Sequence, residues 1–519
     1  MDSKNDLLTN NTMIEFEPIE NIIVIDTTNY LLQDTKALYK IKISSNMSTE
    51  MISTFLSNRF PKLIYLDCVG TNINSMPVLP NLKELYCSKC VGLTCIMDLP
   101  NLENLDCHDC INLISIQNLS NINKLNCSEC SGLTHIYNCP NLQKLYCDQC
   151  ISLTSIPILS KLKLLLCVGC DGLTSIPVLY NLKMLFCNCC NSITSIPLLP
   201  NLTRLYCSEC SSLTSIPQLP NLVKLDCSRC TNLTTIENLF NLTELNCVGC
   251  DSLLTISTLP KLTHLICDQC TKLVCIKKLP NLVELFCSRC RKLNSILDLP
   301  NLTKLKCNEC VRLTSIGDFP QLLLLSCDWC GSLDSIKNLP NLTTLYCNWC
   351  SKLTNIHNLP NLTELYSDEC ALTSIIDLPN VIKIICYNCS ALTSIHRLPK
   401  LSFLNCEMCT SLKIISDLPN LEYLNCCTCT ELEVVSQLPK LSEIFLGGCT
   451  KLQLHTLPLK LLNIEELDLK TITQAVENDD TNLEYLQSCL NNSILPDNLV
   501  EPVASLLDSS ILVKSAKFV

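Results

Sequence analysis

The stretch LPNLTRLYCSECSSLTSIPQ, residues 199–218, constrains this chain more than any other feature, because most of the remaining sequence repeats it at a fixed short period. Within it Leu202, Leu205 and Cys207 are spaced L-x-x-L-x-C, and Cys210, Leu213 and Ile216 follow in steps of three. The alternation around Leu205 predicts a strand with one buried face. Pro200 lies where that strand begins, so its missing N–H removes no ladder bond. The segment LTSIP is too short for a helix and is β-branched and proline-ended, so it is expected to be extended or tightly turned. A unit of this kind cannot bury its own apolar stripe and becomes stable only by stacking on copies of itself. A chain of 519 residues would otherwise suggest several globular domains, whereas a solenoid grows by stacking.

Twenty repeats are expected, starting at Leu63, in equal steps from Leu82 to Leu362, then at Val381, Leu401, Leu421 and Leu441. Two are one residue short, the first (TNINSMP) and the one containing ALTSIID. Each deletion falls after the strand, so strand register is expected to survive. Ahead of the array, Ile22 to Ile25 can form a short strand, and Leu38, Ile41, Ile43 and Asn46 give L-x-x-I-x-I-x-x-N. STEMISTFLSNRF then reads as a helix capped by Ser48, with Met51, Phe55 and Leu56 on one face. Three regions follow: 1–62, an N-terminal cap with one longer helical repeat; 63–455, the solenoid; and 456–519, a C-terminal cap. In the last, Ile464, Leu467 and Leu469 add a strand before a helical tail.

Of the 43 cysteines, 18 fill the first repeat slot, beginning at Cys68 and Cys87, and 19 the second, from Cys90 to Cys449. The others are Cys95, Cys139, Cys189, Cys275, Cys427 and Cys489. Disulfide scaffolds are short chains, and equivalent positions in stacked strands lie about 4.8 Å apart, a strained distance to bridge. Asn201, Asn241, Asn301, Asn341 and Asn361 each begin an N-L-T sequon where a glycan would crowd the stack. Together with MDSKNDLLTN, which is unlike a secretory leader, these features lead us to expect a cytoplasmic protein. The net charge of −11 argues against a nucleic-acid surface, and no apolar run reaches membrane-spanning length.

The repeat resembles the leucine-rich repeat, L-x-x-L-x-L-x-x-(N/C)-x-L, with Cys in the third apolar slot and in the Asn/Cys slot. It departs in placing two residues, not one, between the second Cys and the next Leu. The LPxL…LTSIP frame is also similar to the short repeats of bacterial effector proteins, and most of all to the Cys-bearing arrays of giant amoeba-infecting viruses. The resemblance implies an α/β-type solenoid, mostly parallel β, with extended convex segments and helical end caps. It also implies a concave sheet face that binds a protein partner, and, if the chain is viral, a place in the host cytoplasm.

The C-x-x-C pairs could nominally supply zinc, which needs four convergent ligands. Both cysteines occupy slots that point inward in the resembling family, however, and free Cys behaves as a small hydrophobe. A buried thiol column is therefore the expectation, with no cofactor and no metal; a metal- or redox-responsive protein is the alternative. Cys189 and Cys427 fall in exposed strand positions and are the expected reactive thiols. The six histidines form no column and no nucleophile motif is present, so an enzyme is not expected.

What varies is the outward slot before the first Cys, which holds Phe186, Tyr206, Tyr346 and Tyr366 among other aromatics. Exposed aromatics are good strand formers in their own right, yet a uniform scaffold beneath variable side chains suits recognition. Trp329 and Trp349, the only tryptophans, share one slot in successive repeats and should lie within about 5 Å of each other. These six residues form the expected partner surface, with Asp328 and Asp368 as an acidic border, on a chain expected to be monomeric. The tail, residues 495–519, resembles the opening of an F-box through Leu495, Pro496, Leu499, Val503, Leu507 and Asp508. That resemblance implies docking of a Skp-type adaptor and a role as a cullin-ligase substrate receptor. Against it, Pro502 falls inside the expected helix and the chain stops before a full F-box; the plainer alternative is an end cap.

Overall fold

The computed structural model describes residues 22–31, 36, 38–57, 60–256, 259–436, 438–453, 486, 487, 489 and 499–507. It divides into two units, Met1–Ser212 and Leu213–Val519, each a parallel β-solenoid with one turn per sequence repeat. In both, the front wall of every turn is a three-residue strand such as Arg204–Tyr206 or Glu284–Phe286. Leu145, Leu165, Leu185 and Leu205 pair in succession without slippage. The short repeats keep this register, since Tyr65 pairs with Glu84 and Glu364 with Lys383, a step of 19 in each case.

The turn geometry follows from the residues. Leu202 N–H donates to Leu199 O at 3.1 Å, closing a turn with Pro200 at its second position, where the φ that its ring imposes is the one required. After the strand, Cys150 N–H reaches Cys147 O and Leu153 N–H reaches Cys150 O, so two further tight turns reverse the chain. The Leu, Cys and Ile columns all point inward: Leu82, Leu85, Cys87, Cys90, Leu93 and Ile96 are completely buried.

The back wall is less uniform, and one residue decides its form. Segments without proline after the isoleucine form strands, as in Cys95–Met97, Ser115–Gln117 and His135–Tyr137, which pair in parallel. Where Pro157, Pro177 or Pro197 follows it, no strand forms, because proline brings no N–H to the ladder. The next residue differs in step: Asp98, Asn118 and Asn138 take left-handed φ of 50° to 58°, tolerated by short polar side chains. Gly317 interrupts the wall in the second unit, and a Cβ there would meet the Phe319 ring at 3.0 Å. Phe319 fills the slot that holds Leu in most repeats and is 1% exposed, so the missing side chain makes room for the larger one.

The expected helix is present at Thr49–Leu56, with the Ser48 hydroxyl accepting from Met51 N–H. Its buried face is Ile52, Phe55 and Leu56; Met51 is only half-buried, one position from the face assigned to it. The Ile464–Leu469 strand expected from the sequence lies outside the described residues.

Candidate binding surfaces

Every Cys-x-x-Cys turn has the same backbone. The residue before the second Cys is left-handed, and few of these are glycine: Lys89, Glu129, Cys189, Arg289, Trp329 and Trp349 all have φ near 60°. That conformation costs a non-glycine residue about 1 kcal/mol. An inter-turn bond offsets it, since this residue donates its N–H to the next turn, Trp329 to Asn348 O at 2.8 Å and Trp349 to Asp368 O at 2.7 Å.

Inside the turn the second thiol is a donor rather than mere filler. Cys190 Sγ donates to Cys167 O at 2.9 Å and Cys290 Sγ to Cys267 O at 3.1 Å, and the bond recurs along both units. In the first turn Thr71 fills this slot, but its hydroxyl donates within its own turn, to Cys68 O at 2.8 Å, the carbonyl that also accepts from Cys90 Sγ of the next turn at 3.0 Å. Burial pushes the Cys87 thiol well up and the Cys107 thiol to about 12, so both are protonated at neutral pH. Among the described residues no group of three or more His, Cys, Asp or Glu converges as metal ligands would.

Cys189 and Cys427 are not in strands, contrary to expectation. Both lie in the turn after the strand and are half-buried. Burial, followed by the Glu209 carboxylate beside Cys189 Sγ, raises the Cys189 pKa, which works against a thiolate.

A second ladder, not anticipated from sequence, runs along the slot after the first Cys. Asn308, Asp328, Asn348 and Asp368 each accept, through Oδ1, the backbone N–H of the same slot one turn on, all at 2.8 Å. Asp328 and Asp368 are therefore half-buried acceptors rather than a free acidic border, and burial raises both carboxyl pKa values. The signal was present as an Asn/Asp column at the repeat period. A third ladder marks the strand starts: Asn341 Nδ2 donates to Pro320 O and Asn361 Nδ2 to Pro340 O. The sequon residue Asn201 is engaged the same way, with Tyr180 O at 2.9 Å.

The six expected surface residues fall into three stacked pairs. In the second unit the Trp329 and Trp349 rings lie 4.7 Å apart and 9° from parallel, and Tyr346 and Tyr366 4.6 Å apart at 11°. In the first unit Phe186 and Tyr206 stack at 4.5 Å and 6°. Trp329 is 51% exposed, Trp349 and the others about half-buried. Burial raises the Tyr346 pKa, so its hydroxyl stays neutral.

In the tail, Leu495, Pro496 and Asp508 lie outside the described residues. Residues 499–507 are helical, with Leu499, Val503 and Leu507 buried. Pro502 lies within that helix.

Fold and surface together define a repeat protein, a parallel β-solenoid with a thiol-lined interior and stacked aromatics outside. No protein-family model, curated protein or solved structure matches the chain. No helix among the described residues is long and apolar enough to cross a membrane.

Proposed function

We propose that this chain is a non-catalytic protein-binding scaffold of the leucine-rich repeat class, working through the outward face of its front sheet. The observation that carries this reading is the Trp329–Trp349 stack. Two large rings stand outside a left-handed turn that most other repeats fill with polar side chains or glycine, beside a second stack of Tyr346 and Tyr366. Tryptophan and tyrosine dominate binding energy at interfaces, and a wet cluster of them gains by being covered. The interior supports the repeat class: the second cysteine, in the Asn/Cys slot of that frame, binds a backbone carbonyl of the preceding turn. A reducing compartment such as the cytoplasm suits columns of thiols whose hydrogens are in use.

The test is a matched affinity capture with wild type and the Trp329→Ala, Trp349→Ala double variant, followed by titration calorimetry on any protein retained only by wild type. A loss of at least about 2 kcal/mol with an unmoved melting temperature is expected. Equal retention of every partner by both baits would move the site elsewhere on the face.

The adaptor reading of the tail is the weaker one. Leu499, Val503 and Leu507, which would face a Skp-type adaptor, are buried, so docking would first require releasing that face. Their burial suits a segment that covers the apolar end of the array.

A further inference from the structure

In the second unit, four successive turns fill the left-handed slot with Glu309, Trp329, Trp349 and Glu369, at φ of 53° to 61°. Each donates its N–H to the following turn at 2.7 to 2.8 Å, which fixes the four in one column. The stacked tryptophans spend one face each on the other, leaving an outer face at either end of the pair. A glutamate stands beyond each end. Glu309 reaches back to the preceding turn, where its Oε1 accepts from Arg289 Nε at 2.8 Å, and Trp329 after it is 51% exposed. Glu369 is exposed, and no Lys or Arg among the described residues pairs with it.

The sheet face around this column is acidic. Front-wall segments 321–329, 341–349 and 361–369 carry Asp328, Glu364, Asp368 and Glu369 but no lysine or arginine. Lys306 and Lys383, in the strands on either side, already stand over other rings of the chain. Lys306 Nζ is 5.3 Å from the Phe286 centroid, and Lys383 Nζ 5.3 Å from that of Tyr366. Lys352, beyond Cys350, lies over neither tryptophan. Among the described residues the chain thus supplies cations to Phe286 and Tyr366 but none to its two indoles. Indole is the ring on which a cation binds best, and a guanidinium can stack on it while pairing with a carboxylate. A nucleobase could use the same faces, but its phosphates would meet the carboxylates. From the column Glu309–Trp329–Trp349–Glu369 and the missing cations around it, we infer that this site binds a basic polypeptide segment through two arginines, one on each outer indole face. With the rings 4.7 Å apart and a guanidinium stacked about 3.5–4 Å from each, the two arginines stand about 12 Å apart. That is the reach of about four extended residues. The inference rests on the scaffold reading and gives its partner a chemistry.

The test uses the full chain and a labelled synthetic peptide with two arginines about four residues apart, separated by Gly and Ser. Trp329 and Trp349 are the only tryptophans, so their emission reports binding at this site while peptide anisotropy gives the affinity. Saturable binding with a change in emission is expected, weakening as salt is raised. The Glu309→Gln, Glu369→Gln variant should lose about fivefold in affinity, each exposed pair contributing modestly. Glu369→Gln alone, which leaves the Arg289–Glu309 pair in place, should lose about twofold. A peptide with Gln for both arginines should leave the emission unchanged. Equal affinity for the Arg and Gln peptides, equal affinity of wild type and the double variant for the Arg peptide, or tighter binding of oligothymidylate would overturn the inference. Saturation by a peptide with Leu for both arginines, but not by the Arg peptide, would also overturn it while leaving the tryptophan site of the scaffold reading in place, so the two failures are told apart.

Discussion

The front and back walls of each turn are built from the same repeat and behave differently. The front strand is present in every turn from Glu84–Tyr86 to Arg204–Tyr206 in the first unit, and from Lys224–Asp226 to Glu443–Phe445 in the second. The back strand disappears wherever proline follows the isoleucine, and again at Gly317. Side-chain ladders on the front wall account for the contrast. Thiols, Asn amides and Asx carboxamides or carboxylates tie that wall from turn to turn, as at Cys290, Asn301 and Asn308. The back wall relies mainly on its own N–H groups, so a single missing donor ends it.

The sharpest way to break the front wall is from inside. Leu285→Ala, at a fully buried column position, should lower unfolding stability by about 3 kcal/mol in urea titrations. On the back wall, His396→Pro in the four-strand ladder that includes Ser394–His396 and Ile414–Ser416 should cost about 2 kcal/mol. The same exchange should leave front-wall hydrogen-exchange protection in place; loss of both walls together would show that they do not act separately.

A gain is available at Ser367, which replaces the first Cys, is completely buried and has a hydroxyl without a partner. Ser367→Cys should raise stability by about 1 kcal/mol, measured by calorimetry, because an unpaired buried hydroxyl gives way to the side chain its neighbours carry. No gain would mean the hydroxyl is already satisfied.

The smallest effect concerns charge in the Asx ladder. Burial raises the folded-state pKa of Asp328 above its unfolded value. Its contribution to stability is therefore full below the unfolded carboxyl range near 4 and lost as pH rises through the raised folded value. Asp328→Asn keeps an acceptor for Asn348 N–H and has no charge to bury. It should melt slightly higher than wild type at pH 7, and the difference should close in mild acid; a constant difference would show that titration is not its source.

Much of the fold was legible beforehand because the repeat states the same packing problem about twenty times. The strand position, the inward Leu and Cys columns, the unbroken register across both short repeats and the Ser48 cap all follow from local spacing. The surface was legible in part: the period placed Trp329 beside Trp349 and Tyr346 beside Tyr366. It did not show that Asp328 and Asp368 turn into a ladder, because that depends on which backbone N–H the next turn presents. Cys189 was misplaced for a related reason, as a left-handed turn begins one residue after the first Cys and redirects the side chains that follow.

The sequence by itself determined the solenoid, its period and the two columns of inward cysteines, since a short amphipathic unit can bury its stripe only against a copy of itself. Only the tertiary structure decided what the cysteines do. A thiol's hydrogen finds its acceptor 23 residues back in the chain, as Cys190 finds Cys167 O, and no local pattern encodes that contact. It likewise gathered Lys144, Lys163, Lys183 and Arg204, each one repeat from the next in the chain, onto one outward face beside the column of Tyr146, Leu166, Phe186 and Tyr206. Stacking turns sequence period into spatial adjacency, and charge collected that way is a property of the face, not of any repeat.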